Sequence, residues 1–265
     1  MEGIVERIGA FALVGLASGF ASGLFGIGGG IVRIPIFIYL LPLFGVAHPV
    51  LMHVAVGTSM ALVLPSAVAS TRKQQTWRSS VGIFLGVLIG TALLPLASTE
   101  ILQAIFAAFM VTVGVYEGFF RNRMVIAKSA PRGAVKLAVA AAIGCLAALT
   151  GTGGGTLTTP ALQAFSVRLE AAIATASATG LVTGAVATIG AVVSGWRARD
   201  LPAYSVGYVD LAIFAAMMPT ILIAAPIGVR AGHWLSEAWL RRIYTVLLFV
   251  IAADLIRKLM WTGTP

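Results

Sequence analysis

The 265-residue chain is 59% hydrophobic and only 10% charged, with a mean hydropathy of +0.99 and a net charge of +9. Soluble domains are about one quarter charged, and no single core could hide this much apolar surface, so a soluble globular protein is excluded and lipid is the solvent. The basic residues sit in short gaps between apolar runs, which is the pattern of membrane orientation rather than of a nucleic-acid surface.

The first apolar run follows Glu2, Glu6 and Arg7 without a basic leader, so it reads as a retained element and not a cleaved signal peptide. It extends over about residues 8–45, near 50 Å if wholly helical, and Gly28-Gly29-Gly30 interrupts it near its middle. That is too long for one straight span and too short for two spans with a turn. The stretch is therefore expected to be a broken element, either a discontinuous helix or a span with a re-entrant arm. Ordinary spans follow at 50–70, 80–97 and 101–120, each near the 20 residues that cross a bilayer. A basic segment, 121–133, reads as a linker. A second broken stretch, 134–166, carries Gly153-Gly154-Gly155, and spans at 171–194, 206–229 and 240–257 complete the chain. Cys145 is the only cysteine, so there is no disulfide framework.

The chain repeats itself. Gly23-Leu-Phe-Gly-Ile-Gly-Gly-Gly30 lies over Ala148-Leu-Thr-Gly-Thr-Gly-Gly-Gly155, and five residues later Pro35 lies over Pro160. Pro65-Ser-Ala-Val-Ala-Ser70 lies over Thr183-Gly-Ala-Val-Ala-Thr188. The expected fold is an all-α integral membrane protein of two homologous four-helix repeats, 1–120 and 134–265, with about eight transmembrane elements. Duplicated halves that each carry an interrupted segment are a transporter signature. Counting each broken stretch as one crossing puts Arg72, Lys73 and Arg78, the 121–136 cluster, and Arg197 and Arg199 on one side. That side is then cytoplasmic, both termini lie there, and the repeats are parallel about the membrane normal.

Three adjacent glycines permit positive φ and strip side chains from the backbone. At membrane depth such a break leaves a half-helix N-terminus, whose free amides and partial positive charge seat an anion. The candidate binding residues are Gly28, Gly29, Gly30, Arg33, Thr58 and Ser59 in the first half. In the second they are Thr152, Gly153, Gly154, Gly155, Thr156 and Ser177. Arg33 is a charge inside an apolar run, a functional-site hypothesis by default, and its forked guanidinium suits an oxyanion. The competing reading is an arginine that snorkels to the interface. Neutral hydroxyls bind an anion without trapping it, although helix–helix hydrogen bonding explains them as readily one by one. Gln163 is open between the same two readings; His48 and His53 read as structural, Glu117, Asp210 and Asp254 as solvated caps, and Trp196, Trp234, Trp239 and Trp261 as interfacial anchors.

In Gly26-Ile-Gly-Gly-Gly30 with Pro35, Gly57-Thr-Ser59, and their counterparts Gly151-Thr-Gly-Gly-Gly155, Pro160 and Ser177, the chain resembles the TauE/SafE sulfite exporter family. The resemblance covers nearly the whole sequence. It implies a secondary transporter of sulfur-containing anions such as sulfite, sulfonates or sulfoacetate, in a multi-pass plasma membrane. The partners implied are the bilayer and a small anion. A coupling ion (H+ or Na+) and a homo-oligomer stay open, and neither a cofactor, a metal nor nucleic acid is implied. A passive anion channel is the nearest alternative. An intramembrane hydrolase built on Ser59 and His233 is a distant one.

Overall fold

The computed structural model describes residues 2–25, 28–70, 80–120, 133–165 and 169–262. These are nearly all helical. The elements are α1 (Glu2–Phe25), α2 (Gly30–Leu43), α3 (Leu51–Ser70), α4 (Ser80–Leu93), α5 (Thr99–Val115), α6 (Gly133–Thr150), α7 (Gly155–Ala164), α8 (Leu169–Gly195), α9 (Leu211–Trp234) and α10 (Glu237–Thr262). A two-stranded antiparallel hairpin, β1 (Ser205–Val206) and β2 (Val209–Asp210), precedes α9. Among the described residues six helical stretches are long and apolar enough to cross a membrane: Glu6–Phe25, His48–Val68, Thr99–Phe119, Gly133–Thr150, Ala178–Gly195 and Leu211–Gly232. Gly30–Leu43 and Val81–Leu96 are shorter apolar helices. The chain is a multi-pass membrane protein, nearly all helical among the described residues. The expected span 240–257 falls in α10, which is not among the six and carries Arg241, Arg242, Asp254, Arg257 and Lys258.

Helix α3 forms the centre. Its span is 94% buried, whereas the other five are at most half buried and turn the rest of their surface to lipid. Around it the helices pack in pairs: α1 on α9, α4 on α6, α3 on α8, and α5 on α10. Two of these seams are built from glycine at every fourth position, which brings backbones together where lipid supplies no hydrophobic drive. Gly15, Gly19 and Gly23 of α1 lie against Met217, Ile221 and Ala225 of α9. Gly82, Gly86 and Gly90 of α4 lie against Ala140, Ala141 and Cys145 of α6. In both seams the numbering rises together, so each pair runs parallel. A Cβ on Gly23 would strike the Ala225 carbonyl, and one on Gly86 the Ala141 carbonyl.

The broken stretches do not cross once. Gly29 sits against Ser18 and Ser22, the Phe37 ring lies 5.8 Å from Phe11, and Phe44 lies 5.5 Å from Phe11 and under the Arg7 guanidinium. As α2 advances its partners in α1 recede, so α2 runs antiparallel to α1. The reversal is made by Gly28 and Gly29, at φ 76° and 73°, a region closed to most side chains. Likewise Pro160 of α7 accepts a hydrogen bond from Tyr116 at the end of α5, so α7 returns towards the end where α6 begins. Each stretch is therefore a span followed by a returning arm. The arms are short, 14 and 10 residues, because each starts part-way down its span instead of at the far end.

This geometry corrects the count of crossings. One face of the bundle gathers the start of α1, the turns before α3 and α5, the hairpin and the end of α10. It is tied by Arg7 to Asp210, Thr99 to the His48 carbonyl, and Lys258 to the Ile38 carbonyl. The other face gathers the end of α5 and the start of α10, tied by Arg241 to the Glu117 and Gly118 carbonyls. Helix α1 leaves the first face and α6 leaves the second, so they run in opposite directions. The end of α3 and the start of α4, like the end of α5 and the start of α6, therefore lie at the second face, and Arg197 and Arg199 at the first. The helix ends that flank 71–79 and 121–132 and the segment with Arg197 and Arg199 do not share a side.

Candidate functional site

The two glycine-rich breaks meet in the middle of the bundle. A Cβ on Gly30 would come within 2.5 Å of the Gly151 carbonyl and the Thr152 Cα, and one on Gly28 within 3.3 Å of the Thr152 carbonyl. Backbone thus packs on backbone, and only glycine fits. The second break mirrors the first, with Gly151 and Gly153 at φ 65° and 76°. Gly29 is the N-cap of α2 and offers no side-chain hydrogen bond, so the first-turn amides of α2 are uncapped by side chain where they face the second break.

Arg33 lies one turn into α2 and is wholly buried. Its Nη2 donates to the Gly28 carbonyl at 2.7 Å, its Nε to Ser59 Oγ at 3.3 Å, and its Nη1 to the Leu62 carbonyl and Ser66 Oγ at 3.3 and 3.4 Å. Every acceptor is neutral. Among the described residues no carboxylate pairs with this cation. The interfacial, snorkelling reading of Arg33 is therefore wrong for this structure. Ser59 in turn donates to the Gly151 carbonyl at 2.7 Å, so a continuous path runs from the first arm through α3 to the second break.

The hydroxyls of the second half gather at the same place. Thr152 pairs with Thr150 at 3.0 Å, and Thr158 with Thr179 at 3.3 Å. The hydroxyls of Thr179 and Thr183 stand over Gly154. Thr156 is buried beside them. Ser177 belongs to α8, and its side chain lies outside the described residues, as do those of Gln163 and His233.

Thr58 is not part of this cluster. Its hydroxyl accepts from the Asp210 amide at 2.9 Å and so anchors the hairpin below the first face. Asp210 is a second correction. It is fully buried rather than a solvated cap, caps α9 by accepting from the Ile213 amide, and pairs with Arg7 at 2.5 Å. Glu117 is buried as well. His53 donates from Nε2 to the Leu94 carbonyl at 3.0 Å and stacks on Tyr208, which places it with the turns of the first face and away from the breaks. Sequence reasoning missed Ser66 as an Arg33 partner, although its position two turns beyond Ser59 on α3 was a usable signal.

Comparison with known proteins places this architecture among transporters. The family model described as sulfite exporter TauE/SafE matches residues 11–255. A probable membrane transporter protein of Haemophilus influenzae is 28% identical over 257 residues, covering 93% of this chain and 97% of the relative. A protein of the same description from Methanocaldococcus jannaschii is 25% identical, covering 90% and 91%. One from Xylella fastidiosa strain 9a5c is 31% identical over 207 residues, covering 72% and 73%. No solved structure matches the chain.

Proposed function

Because the chain belongs to the TauE/SafE sulfite exporter family, a family of membrane transporters, we propose that it is a secondary transporter of a small sulfur-containing anion. The substrate class is sulfite, a sulfonate, sulfoacetate or a similar organic anion. Transport proceeds by alternating access, with the anion held between the two glycine-rich breaks. The observation that carries this reading is the meeting of those breaks beside a buried guanidinium with only neutral partners. A cation at membrane depth is costly until an anion joins it. Here the amide ends of α2 and α7 and the fork of Arg33 would supply the positive potential and the donors for that anion. The threonines of the second break add neutral donors, from which a bound anion can leave. Thr158 stands where the first repeat has Arg33, so the site between the breaks holds one arginine, not two.

The packing supports an inverted repeat. The units 1–120 and 134–265, joined by 121–133, would be related by a two-fold axis in the membrane plane. Exchanging them turns the α1–α9 seam into the α6–α4 seam, and maps α3 on α8 and α5 on α10 each onto itself. Inverted repeats supply alternating access directly, since exchanging the conformations of the two halves opens the site to the other side. Orientation follows from the same geometry. The helix ends that flank 71–79 and 121–132 lie at the face that holds Lys136, Arg230, Arg241 and Arg242, and those two stretches of sequence contain Arg72, Lys73, Arg78, Arg121, Arg123, Lys128 and Arg132. Positive-inside bias makes that face cytoplasmic in the bacterial inner membrane, and puts both termini outside. The expectation of cytoplasmic termini came from counting each broken stretch as one crossing.

Purified protein in liposomes tests the transport reading. Sulfite, taurine, isethionate or sulfoacetate should accumulate above equilibrium when a proton or sodium gradient is imposed. A flux that only equilibrates would make the protein a passive channel.

A further inference from the structure

At the face opposite the termini, a cavity of about 390 Å³ opens between the end of α5 and the start of α10, lined by Gly118, Arg241, Arg242, Thr245 and Val246. We propose that it binds the phosphate of an anionic phospholipid, held by Arg241 and Arg242. The space arises because α5 does not end cleanly. Its last turn, Tyr116–Phe120, widens to π-helical geometry, and Gly118 there presents no side chain to α10. Arg241 is fixed by donating from Nε and Nη2 to the Glu117 and Gly118 carbonyls at 2.7 and 2.9 Å. Arg242 stacks 5.6 Å from the centre of the Trp239 ring. Neither guanidinium meets a carboxylate among the described residues, and the Thr245 hydroxyl is buried there without a partner. The cavity thus presents two prepositioned cations and an unused hydroxyl, a set of donors for a phosphate.

The surroundings select a lipid over a soluble anion. Phe119, Ile243, Val246 and Val250 are all exposed, the last two one turn apart along α10, and form an apolar track leading away from the arginines. Exposed Trp234 and Trp239 mark the same level as the membrane–water interface. A headgroup on the arginines would lay its acyl chain along that track. The site is separate from the two breaks and does not depend on the transport reading.

The test uses the purified full chain in detergent, with phosphatidylglycerol, phosphatidylcholine or sodium phosphate added, read by native mass spectrometry and by thermal stability. Phosphatidylglycerol should be retained and should raise the melting temperature, while the other two do neither. Arg242→Gln leaves the carbonyl clamp intact and should weaken phosphatidylglycerol binding about fivefold. Arg241→Gln with Arg242→Gln should weaken it further, and Arg230→Gln, at the same face outside the cavity, should bind as the parent does. Unchanged affinity in Arg242→Gln overturns the site. Equal binding of phosphatidylcholine removes the role of charge, and an equal response to sodium phosphate makes this a soluble-anion site and overturns the lipid assignment.

Discussion

Replacing Arg33 separates charge from geometry at the junction of the breaks. Of its four hydrogen bonds only that to the Gly28 carbonyl, at 2.7 Å, is short, while those to Ser59, Leu62 and Ser66 are 3.3–3.4 Å. The arginine is therefore weakly held by the protein, and its charge is left for a ligand. At an effective dielectric of about 20, two unit charges 4 Å apart attract by about 4 kcal/mol. Arg33→Ala should then weaken anion binding by about a thousandfold. Arg33→Lys keeps the charge and loses the fork, one charge-assisted hydrogen bond worth about 1.5 kcal/mol, or about tenfold. Isothermal titration with the best ligand from a thermal-shift screen of sulfite, sulfate, thiosulfate, taurine, isethionate and sulfoacetate supplies the dissociation constants. The order should be arginine, lysine, alanine. Equal affinities in folded versions of all three would remove Arg33 from the site and leave it as a brace for the first break.

Three further outcomes follow. Gly30→Ala drives a Cβ into the Gly151 carbonyl and Thr152 Cα, an overpacking cost of about 1–3 kcal/mol, so its melting temperature should fall by several degrees while Gly9→Ala, with open space around it, stays at the parent value. Asp210→Ala strips Arg7 and the α9 amide of their acceptor and should cost about 3 kcal/mol, the low end for a broken buried pair because Arg7 is partly exposed. Asp210→Asn keeps an oxygen for the Ile213 amide and should fall between the two in a denaturation series. In a Cys145→Ala background, Arg199→Cys should react with a membrane-impermeant thiol reagent added outside intact cells, and Ser236→Cys should not. The reverse pattern would invert the proposed orientation.

The membrane class and the positions of both breaks were legible in the sequence, because a charged fraction of 10% and two matched glycine triplets leave few alternatives. The direction of the chain through each break was not. Whether a glycine takes positive φ is decided by what it must pack against, here Ser18 for Gly29 and Thr152 for Gly28, and those partners are distant in sequence or on the other half. The error propagated into the topology: missing the first reversal moves the helix ends between the two breaks to the opposite face, and missing the second moves everything after it back, so Arg197 and Arg199 part from the earlier basic gaps. The span expected at 206–229 begins late for a local reason. Gly207, at φ 57°, turns a short hairpin and Asp210 caps the helix, so α9 starts at Leu211, and a glycine followed by a capping aspartate was a readable signal. Arg33 stood out because a charge in an apolar run is conspicuous, and it lies buried at the first break, while the hairpin contact of Thr58 was not legible because spacing on α3 cannot tell the face towards the breaks from the face towards the hairpin.

Thr152 offers the most direct test of a site that opens alternately, since it is fully buried where the breaks meet. With Thr152→Cys as the sole thiol in a Cys145→Ala protein, an impermeant thiol reagent should label the position from either side of the membrane as the transporter cycles, and a transported anion should slow that labelling. A cysteine there that stays unreactive from both sides in protein that still transports would contradict the account.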